Sequence, residues 1–284
     1  MSRIAVNGVH LNVETSGNGP AVLLLHGFTG SASTWTPHLH AWRDFTTIAV
    51  DLLGHGSSDC PADPSRYGLD HAVSDLVRLL DHLGVRHSAV LGYSMGGRTA
   101  LRLALHLARH SPTQVSALVL ESTSPGIEDK KERDARARRD AALAMTIERD
   151  GIESFVNRWE ALPLFATQEH LPAEVREEVR RQRLANDPRG LANSLRGMGV
   201  GVQEPLLARL GTIDTPVLLL AGALDGKYRS LACEMAEKLR HAQVEIIAEA
   251  GHAIHLEQPA AFTRTVRDFL DKHAPGKGGN AGPM

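Results

Sequence analysis

Short apolar runs alternate along the chain with longer segments whose apolar positions recur about every 3.6 residues, the helical period. The short runs are Ala21–Leu25, Thr46–Val50, Ser88–Leu91, Val115–Leu120, Pro216–Ala221 and Val244–Ala248. Each is apolar through most of its length, the pattern of a strand covered on both faces. Ile4–Val6 and Leu11–Glu14 flank Asn7-Gly8, and the tolerance of Asn-Gly for positive φ predicts an N-terminal hairpin. Leu69–Leu83 places Val73, Leu76, Val77, Leu79, Leu80 and Leu83 mostly on one helical face, and Gly84 stops it. Gly96–Arg109, Leu231–Leu239 and Pro259–Leu270 read as helices in the same way.

Buried strands alternating with helices predict an α/β fold, a mostly parallel sheet flanked by helices. The alternation stops between residues 125 and 205. That stretch is charged and helix-favouring, with breaks at Gly151, Pro163, Pro172 and Pro188. It predicts a helical cap inserted into a core made of residues 1–124 and 206–273. Residues 274–284, rich in glycine and proline, are expected to be a disordered tail.

Composition narrows the function. Of 284 residues, 42% are hydrophobic, too many for a disordered chain. A formal net charge of -2 argues against a nucleic-acid binder. No apolar run approaches the roughly 20 residues of a membrane helix, and the first residues lack the basic-then-apolar secretion pattern. The two cysteines, Cys60 and Cys233, have no metal-type spacing. The expectation is a cytoplasmic enzyme, monomeric or a small homo-oligomer, without metal or cofactor, acting on a small molecule.

Gly92-Tyr93-Ser94-Met95-Gly96 stands between an expected strand and an expected helix, the context that gives the G-x-S-x-G elbow its meaning. The glycines let strand and helix backbones pass closely, and the turn presents the Ser94 hydroxyl at a helix N-terminus. A serine becomes basic or nucleophilic only when a histidine accepts its proton, and that histidine needs an orienting acid. His252 and Asp225 each follow an expected strand, and Ser94, Asp225, His252 is the chain order for this fold. Glu121, at the end of its strand, is the rival acid. His255 is the rival imidazole, and a His252/His255 metal pair lacks a third ligand. His26 and His55 read as loop-shaping residues, and His38, His71, His82 and His110 as solvent-facing. The backbone N–H groups of Phe28, in the glycine-flanked loop after an early strand, and of Met95 are the expected oxyanion donors. Arg98, in the first helical turn after Ser94, adds positive potential that suits an anionic substrate, with a surface ion pair as the alternative. The cap arginines stand among acids, and Trp159 shares a helical face with Phe155.

Taken together, these motifs resemble one branch of the α/β-hydrolase superfamily, the menaquinone-pathway lyases called 2-succinyl-6-hydroxy-2,4-cyclohexadiene-1-carboxylate synthases. The resemblance runs to about Leu270. It is carried by Leu25-His-Gly-Phe-Thr-Gly-Ser31 with Trp35, Gly92-Tyr-Ser-Met-Gly-Gly-Arg98, Ser124-Pro-Gly-Ile-Glu128, Trp159 with Pro163-Leu-Phe165, Ala221-Gly-Ala-Leu-Asp-Gly-Lys227 and Gly251-His-Ala-Ile-His-Leu-Glu257. It implies elimination of pyruvate from a tricarboxylate substrate, with Ser94, His252 and Asp225 acting as a general base. It also implies that Arg98, Arg136 and Arg183 bind carboxylates and that Tyr93 and Trp159 line the pocket. In the cap the match is looser: Arg133 can stand for Arg136, and Arg180 or Arg181 for Arg183. A serine esterase or thioesterase of the same fold, and a catalytically silent ligand binder, are the alternative readings.

Overall fold

The computed structural model describes residues 2–111 and 114–274. The strands are β1 (Ser2–Val6), β2 (Val9–Ser16), β3 (Ala21–Leu25), β4 (Thr46–Val50), β5 (Ser88–Tyr93), β6 (Val115–Glu121), β7 (Val217–Gly222) and β8 (Ala242–Ile247). They form one sheet in the order β1-β2-β4-β3-β5-β6-β7-β8. The β1–β2 and β2–β4 pairings are antiparallel, and every pairing from β4 through β8 is parallel. The helices are α1 (Thr36–Leu39), α2 (Leu69–His82), α3 (Met95–His110), α4 (Lys130–Glu160), α5 (Ala173–Leu184), α6 (Pro188–Met198), α7 (Gly226–Ala236), α8 (Ile254–Glu257) and α9 (Pro259–His273).

The period-two geometry of a strand divides the core in two. Leu23, Leu25, Val90, Leu118 and Leu219 face α2, α3 and α7 through Leu76, Leu79, Leu101, Leu105 and Met235. Their neighbours Val22, Leu24, Leu91, Val119 and Leu218 pack on Trp35, Trp42 and the α9 residues Phe262, Val266 and Leu270. Burial of both sets explains why these strands read as continuous apolar runs rather than alternating ones.

Between β6 and β7 come α4, α5 and α6, with a short turn at Pro163–His170. Gly151 interrupts α4 at φ 78, ψ 174, and Pro163, Pro172 and Pro188 open or precede the following elements. Ala144, Ile147, Phe155, Val156, Leu191, Ala192 and Leu195 make a separate apolar cluster, and Phe28 from the loop after β3 packs against it. This cluster is too small to be independent of the core beneath it, and Phe28 is one of the residues that joins the two.

Four expectations need correction. Helix α7 begins at Gly226 rather than Leu231, because the Asp225 carboxylate accepts the Tyr228 N–H at 3.2 Å and caps the helix where its sequence is still polar. Strand β8 lies at the sheet edge and is only partly covered, so its apolar residues mark position rather than full burial. Ala274, expected in the tail, is buried against α9 and the core; residues 275–284 lie outside the described residues. His38 is not solvent-facing, unlike His71, His82 and His110: it is 1% exposed, with its Nδ1 2.7 Å from Thr263 Oγ1.

Burial, reinforced by the charge of His255, lowers the His38 pKa from 6.5 to about 3, and burial with the neighbouring His26 does the same to His55. Both imidazoles fold neutral, so below pH 6.5 the unfolded chain takes up protons that the folded chain refuses, and stability falls toward pH 3. Each histidine steepens that fall by up to about 1.4 kcal/mol per pH unit. The urea midpoint is expected to drop over this interval, and His38→Gln is expected to flatten the profile. A variant profile that stays parallel to the wild type removes the assignment.

Candidate active site

The elbow is built by close approach of backbones. Ser94 joins β5 to α3 with φ 52 and ψ -105, a conformation that non-glycine residues rarely adopt. A Cβ at Gly96 would overlap the carbonyl oxygens of Leu25 and His26, and one at Gly92 would overlap the Gly96 carbonyl. The absence of side chains there lets α3 start against β3. The Ser94 N–H donates to the Glu121 carbonyl at 2.9 Å, and the Ser94 carbonyl accepts the Arg98 N–H at 3.1 Å. Strain of this kind persists only where the surroundings over-determine it.

Two loops bring partners to the hydroxyl. His252 Nε2 lies 3.1 Å from Ser94 Oγ, and its Nδ1 lies 2.9 Å from Asp225 Oδ2. His252 is 2% and Asp225 9% exposed, so the bond between them is shielded from water. Glu257 holds the histidine loop, its carboxylate accepting the N–H of Gly251 at 2.6 Å and of Ala253 at 3.1 Å. Glu121, the rival acid, pairs with His255 instead, 2.9 Å from its Nδ1. The His252/His255 pair therefore faces two different carboxylates, and among the described residues no cluster of His, Cys, Asp and Glu is arranged to hold a metal ion.

The loop after β3 is stiffened by a buried polar network. His26 Nδ1 donates to the Gly27 carbonyl at 2.7 Å, and its Nε2 accepts the Leu52 N–H at 3.0 Å. Burial pushes its pKa down, consistent with this neutral tautomer. Asp51 accepts the Ala32 N–H at 2.6 Å and the Ser57 N–H at 2.7 Å, tying that loop to the one after β4. His55 is likewise buried in its loop, with its ring 5.0 Å from that of His26.

Ser94, His252, Phe28 and Met95 border one cavity of about 740 Å³ beneath α4 and α6. Arg98 and Arg136 also line it. Arg98 donates to the Met198 carbonyl at 2.7 Å and to Gln203 Oε1 at 3.1 Å, which rules out the surface ion pair. Burial, aided by the nearby Arg136, lowers its pKa to about 10, so it remains cationic at neutral pH. Arg136 is bonded to Asp140 at 2.8 Å. Tyr93 borders the cavity with its ring 5.4 Å from that of His252, and burial together with Glu121 raises its pKa, keeping the phenol protonated. Trp159 also lines the cavity, with a buried Nε1 that has no acceptor among the described residues.

Arg183 is placed differently. It lies 5.2 Å over the ring of Phe165, 8% exposed, bonded to Glu160 at 3.1 Å and Gln168 at 3.2 Å. It borders a second cavity of about 470 Å³ on the far side of Phe165, not the one containing Ser94. Its substitutes are no closer: Arg180 bonds Glu160 and Asn157, and Arg181 pairs with Glu178. Arg133, the substitute for Arg136, donates to the Ile127 and Glu128 carbonyls. Sequence reasoning missed Arg139, Lys227 and Tyr228, which do line the Ser94 cavity. Tyr228 follows Asp225 closely in the chain, which was the available signal; its ring packs 4.5 Å from His252.

Fold and site define an α/β-hydrolase, and the family model of the alpha/beta hydrolase fold matches residues 20–259: the chain belongs to that family. Within it, a Citrobacter koseri protein named 2-succinyl-6-hydroxy-2,4-cyclohexadiene-1-carboxylate synthase is 31% identical over 92% of this chain and 98% of its own. A Bacillus subtilis protein that bears the same name provisionally is 45% identical over 88% of this chain and 90% of its own. The solved structure of MenH from S. aureus superposes with a TM-score of 0.86 at 35% identity, covering 93% of this chain and 98% of that one. Among the described residues, no helix is long and apolar enough to cross a membrane.

Because the elbow depends on bare backbone contact, Gly96→Ala is expected to push α3 away from β3 and shift Ser94 relative to His252. Displacement on the order of 1 Å lowers reactivity about 10–100-fold, measurable as the rate at which a fluorophosphonate labels Ser94. An undiminished labelling rate in a folded variant contradicts this account of the elbow.

Proposed function

We propose that this protein is a carbon–oxygen lyase of menaquinone biosynthesis. It converts 2-succinyl-5-enolpyruvyl-6-hydroxy-3-cyclohexene-1-carboxylate into 2-succinyl-6-hydroxy-2,4-cyclohexadiene-1-carboxylate and pyruvate. The observation that carries this reading is a hydrogen-bonded Ser94–His252–Asp225 chain opening into the same cavity as two arginines. The names of the two relatives support the product.

In this reading Ser94 is a general base. It takes a proton from a substrate carbon while passing its own hydroxyl proton to His252 Nε2, 3.1 Å away. Asp225 holds the imidazole in the tautomer that accepts at Nε2 and stabilises the imidazolium that results. The electrons of the broken C–H bond at C2 form the C2–C3 double bond, the C3–C4 pair shifts to C4–C5, and the enolpyruvyl C–O bond at C5 breaks with its electrons leaving on oxygen. The leaving enolate takes a proton back and becomes pyruvate. No covalent enzyme intermediate is needed. Negative charge that builds on the substrate is met by the N–H groups of Phe28 and Met95 at the start of α3.

Three substrate carboxylates account for the arginines, whose planar forks hold a carboxylate through two parallel hydrogen bonds. Arg98 and Arg136 reach the cavity directly, Tyr93 shapes it, and the Trp159 Nε1–H offers a further donor. Arg183 meets a ligand there only past Phe165, so its contribution is the smallest of the three. Phe165 borders both cavities.

Incubation with the enolpyruvyl substrate is expected to release pyruvate in a Ser94-dependent manner. Arg98→Ala and Arg136→Ala are each expected to cost about 2–4 kcal/mol in kcat/KM, and Arg183→Ala less. Wild-type kcat/KM in all three variants contradicts carboxylate binding by these residues. Absence of pyruvate, with turnover of an ester and an acyl group trapped on Ser94, makes the protein a hydrolase.

A further inference from the structure

One residue outside the proposed catalytic group is bonded both to the serine backbone and to the turn that carries the histidine. Glu121 ends β6 and is fully buried. Its main-chain carbonyl accepts the Ser94 N–H at 2.9 Å. Its carboxylate accepts the His255 N–H at 3.0 Å and lies 2.9 and 3.0 Å from His255 Nδ1. His255 sits in α8, three positions beyond His252 in the same turn of chain. One residue thus bonds the backbone of the serine through its main chain and the histidine-bearing turn through its side chain.

The neighbours reinforce that link. Glu121 pairs in register with Tyr93 across β5 and β6, and the Tyr93 ring packs 4.6 Å from His255 and 5.4 Å from His252. The Glu257 carboxylate secures the other end of the turn through the N–H groups on either side of His252. Glu121 has no bond to His252, whose Nδ1 is taken by Asp225, so it cannot serve as the orienting acid of that imidazole. A buried carboxylate that loses these donors leaves the His255 N–H and ring nitrogen unpaired in the interior, which costs more than the bonds themselves contribute.

We infer that Glu121, acting through His255, is a positioning residue that sets the separation between Ser94 Oγ and His252 Nε2. The inference rests on the reading of Ser94 and His252 as the reacting couple. Reactivity in such couples falls steeply with small displacements, so a link of this kind acts on turnover rather than on substrate affinity.

Two substitutions separate position from charge. Glu121→Gln keeps an acceptor oxygen in place for the His255 N–H but removes the charge. Glu121→Asp keeps the charge but withdraws the oxygens by one methylene. Each is measured by melting temperature, by kcat and KM for pyruvate release, and by the rate of fluorophosphonate labelling at Ser94, which needs no knowledge of the natural substrate. The Asp variant is expected to lose about 10–100-fold in labelling and in kcat with KM within about twofold, and the Gln variant no more than about threefold. An Asp variant as reactive as wild type, or a Gln variant as impaired as Asp, overturns the inference. Should the Asp variant not fold, His255→Leu keeps the backbone bond and removes the side-chain donor to Glu121; labelling at the wild-type rate there overturns it equally. His252→Ala is the control. If it still labels normally, the reading of the couple itself fails; if it does not label while Glu121→Asp remains fast, only the role of Glu121 fails.

Discussion

The site depends on one strained residue. At φ 52 and ψ -105, Ser94 occupies a backbone state costing on the order of 1–3 kcal/mol, and the surrounding chain leaves it no alternative. Strand β5 arrives along β3, α3 departs across the same strand, and the bare glycines on each side allow main-chain contact where any Cβ would intrude. The Ser94 N–H and carbonyl are both bonded, to Glu121 and Arg98. The hydroxyl stands above the carboxyl ends of the parallel strands, where the loops after β3, β7 and β8 also converge. Asp225 and His252 come from two of those loops and Phe28 from the third. The sheet therefore determines where these side chains meet, and the loops supply them.

The cavity above the serine is lined by four cations, Arg98, Arg136, Arg139 and Lys227, and by four acids. Arg98 is half-buried and bonded to a carbonyl and an amide oxygen, with no carboxylate bonded to it among the described residues. Its depressed but still basic pKa expresses the cost of holding that charge away from water, a cost that a bound carboxylate reduces. Tyr228 lies within the electrostatic reach of both Arg98 and Arg136, yet burial outweighs them and its pKa is raised, so the phenol is a donor rather than an anion. Arg98 and this neutral hydrogen-bond donor border the same cavity as the Ser94 hydroxyl. The acids of the lining, Glu128, Asp129, Glu132 and Glu234, are contributed by α7 and by the stretch that opens α4.

Much of this was legible in the chain itself, because it rests on local rules. Continuous apolar runs marked the strands, the elbow's glycines marked the serine, and the order of serine, acid and histidine fitted the fold. What was not legible depends on tertiary direction. The apolar pattern of α7 covers only its second half, so its start at Gly226 is set by the Asp225 cap. Strand β8 has the composition of an interior strand and the position of an edge. His38 is buried partly by Phe262 of α9 and His255 of α8, which no local window contains. The cap arginines alternate with acids, and which of them turns inward is decided by partners such as Glu160 and Asp140, twenty-three and four residues away. Glu121 was visible as a candidate acid, but its bonds to His255 cross 134 residues of chain.

The central claim is that the Ser94 hydroxyl moves a proton and does not form a bond to carbon. The most direct measurement combines deuterium at the substrate carbon that loses its proton with mass spectrometry of enzyme quenched during turnover. The account predicts slower pyruvate release from the deuterated substrate and an enzyme mass that never changes. Equal rates for the two substrates, with a substrate-derived mass increment on Ser94, contradict it.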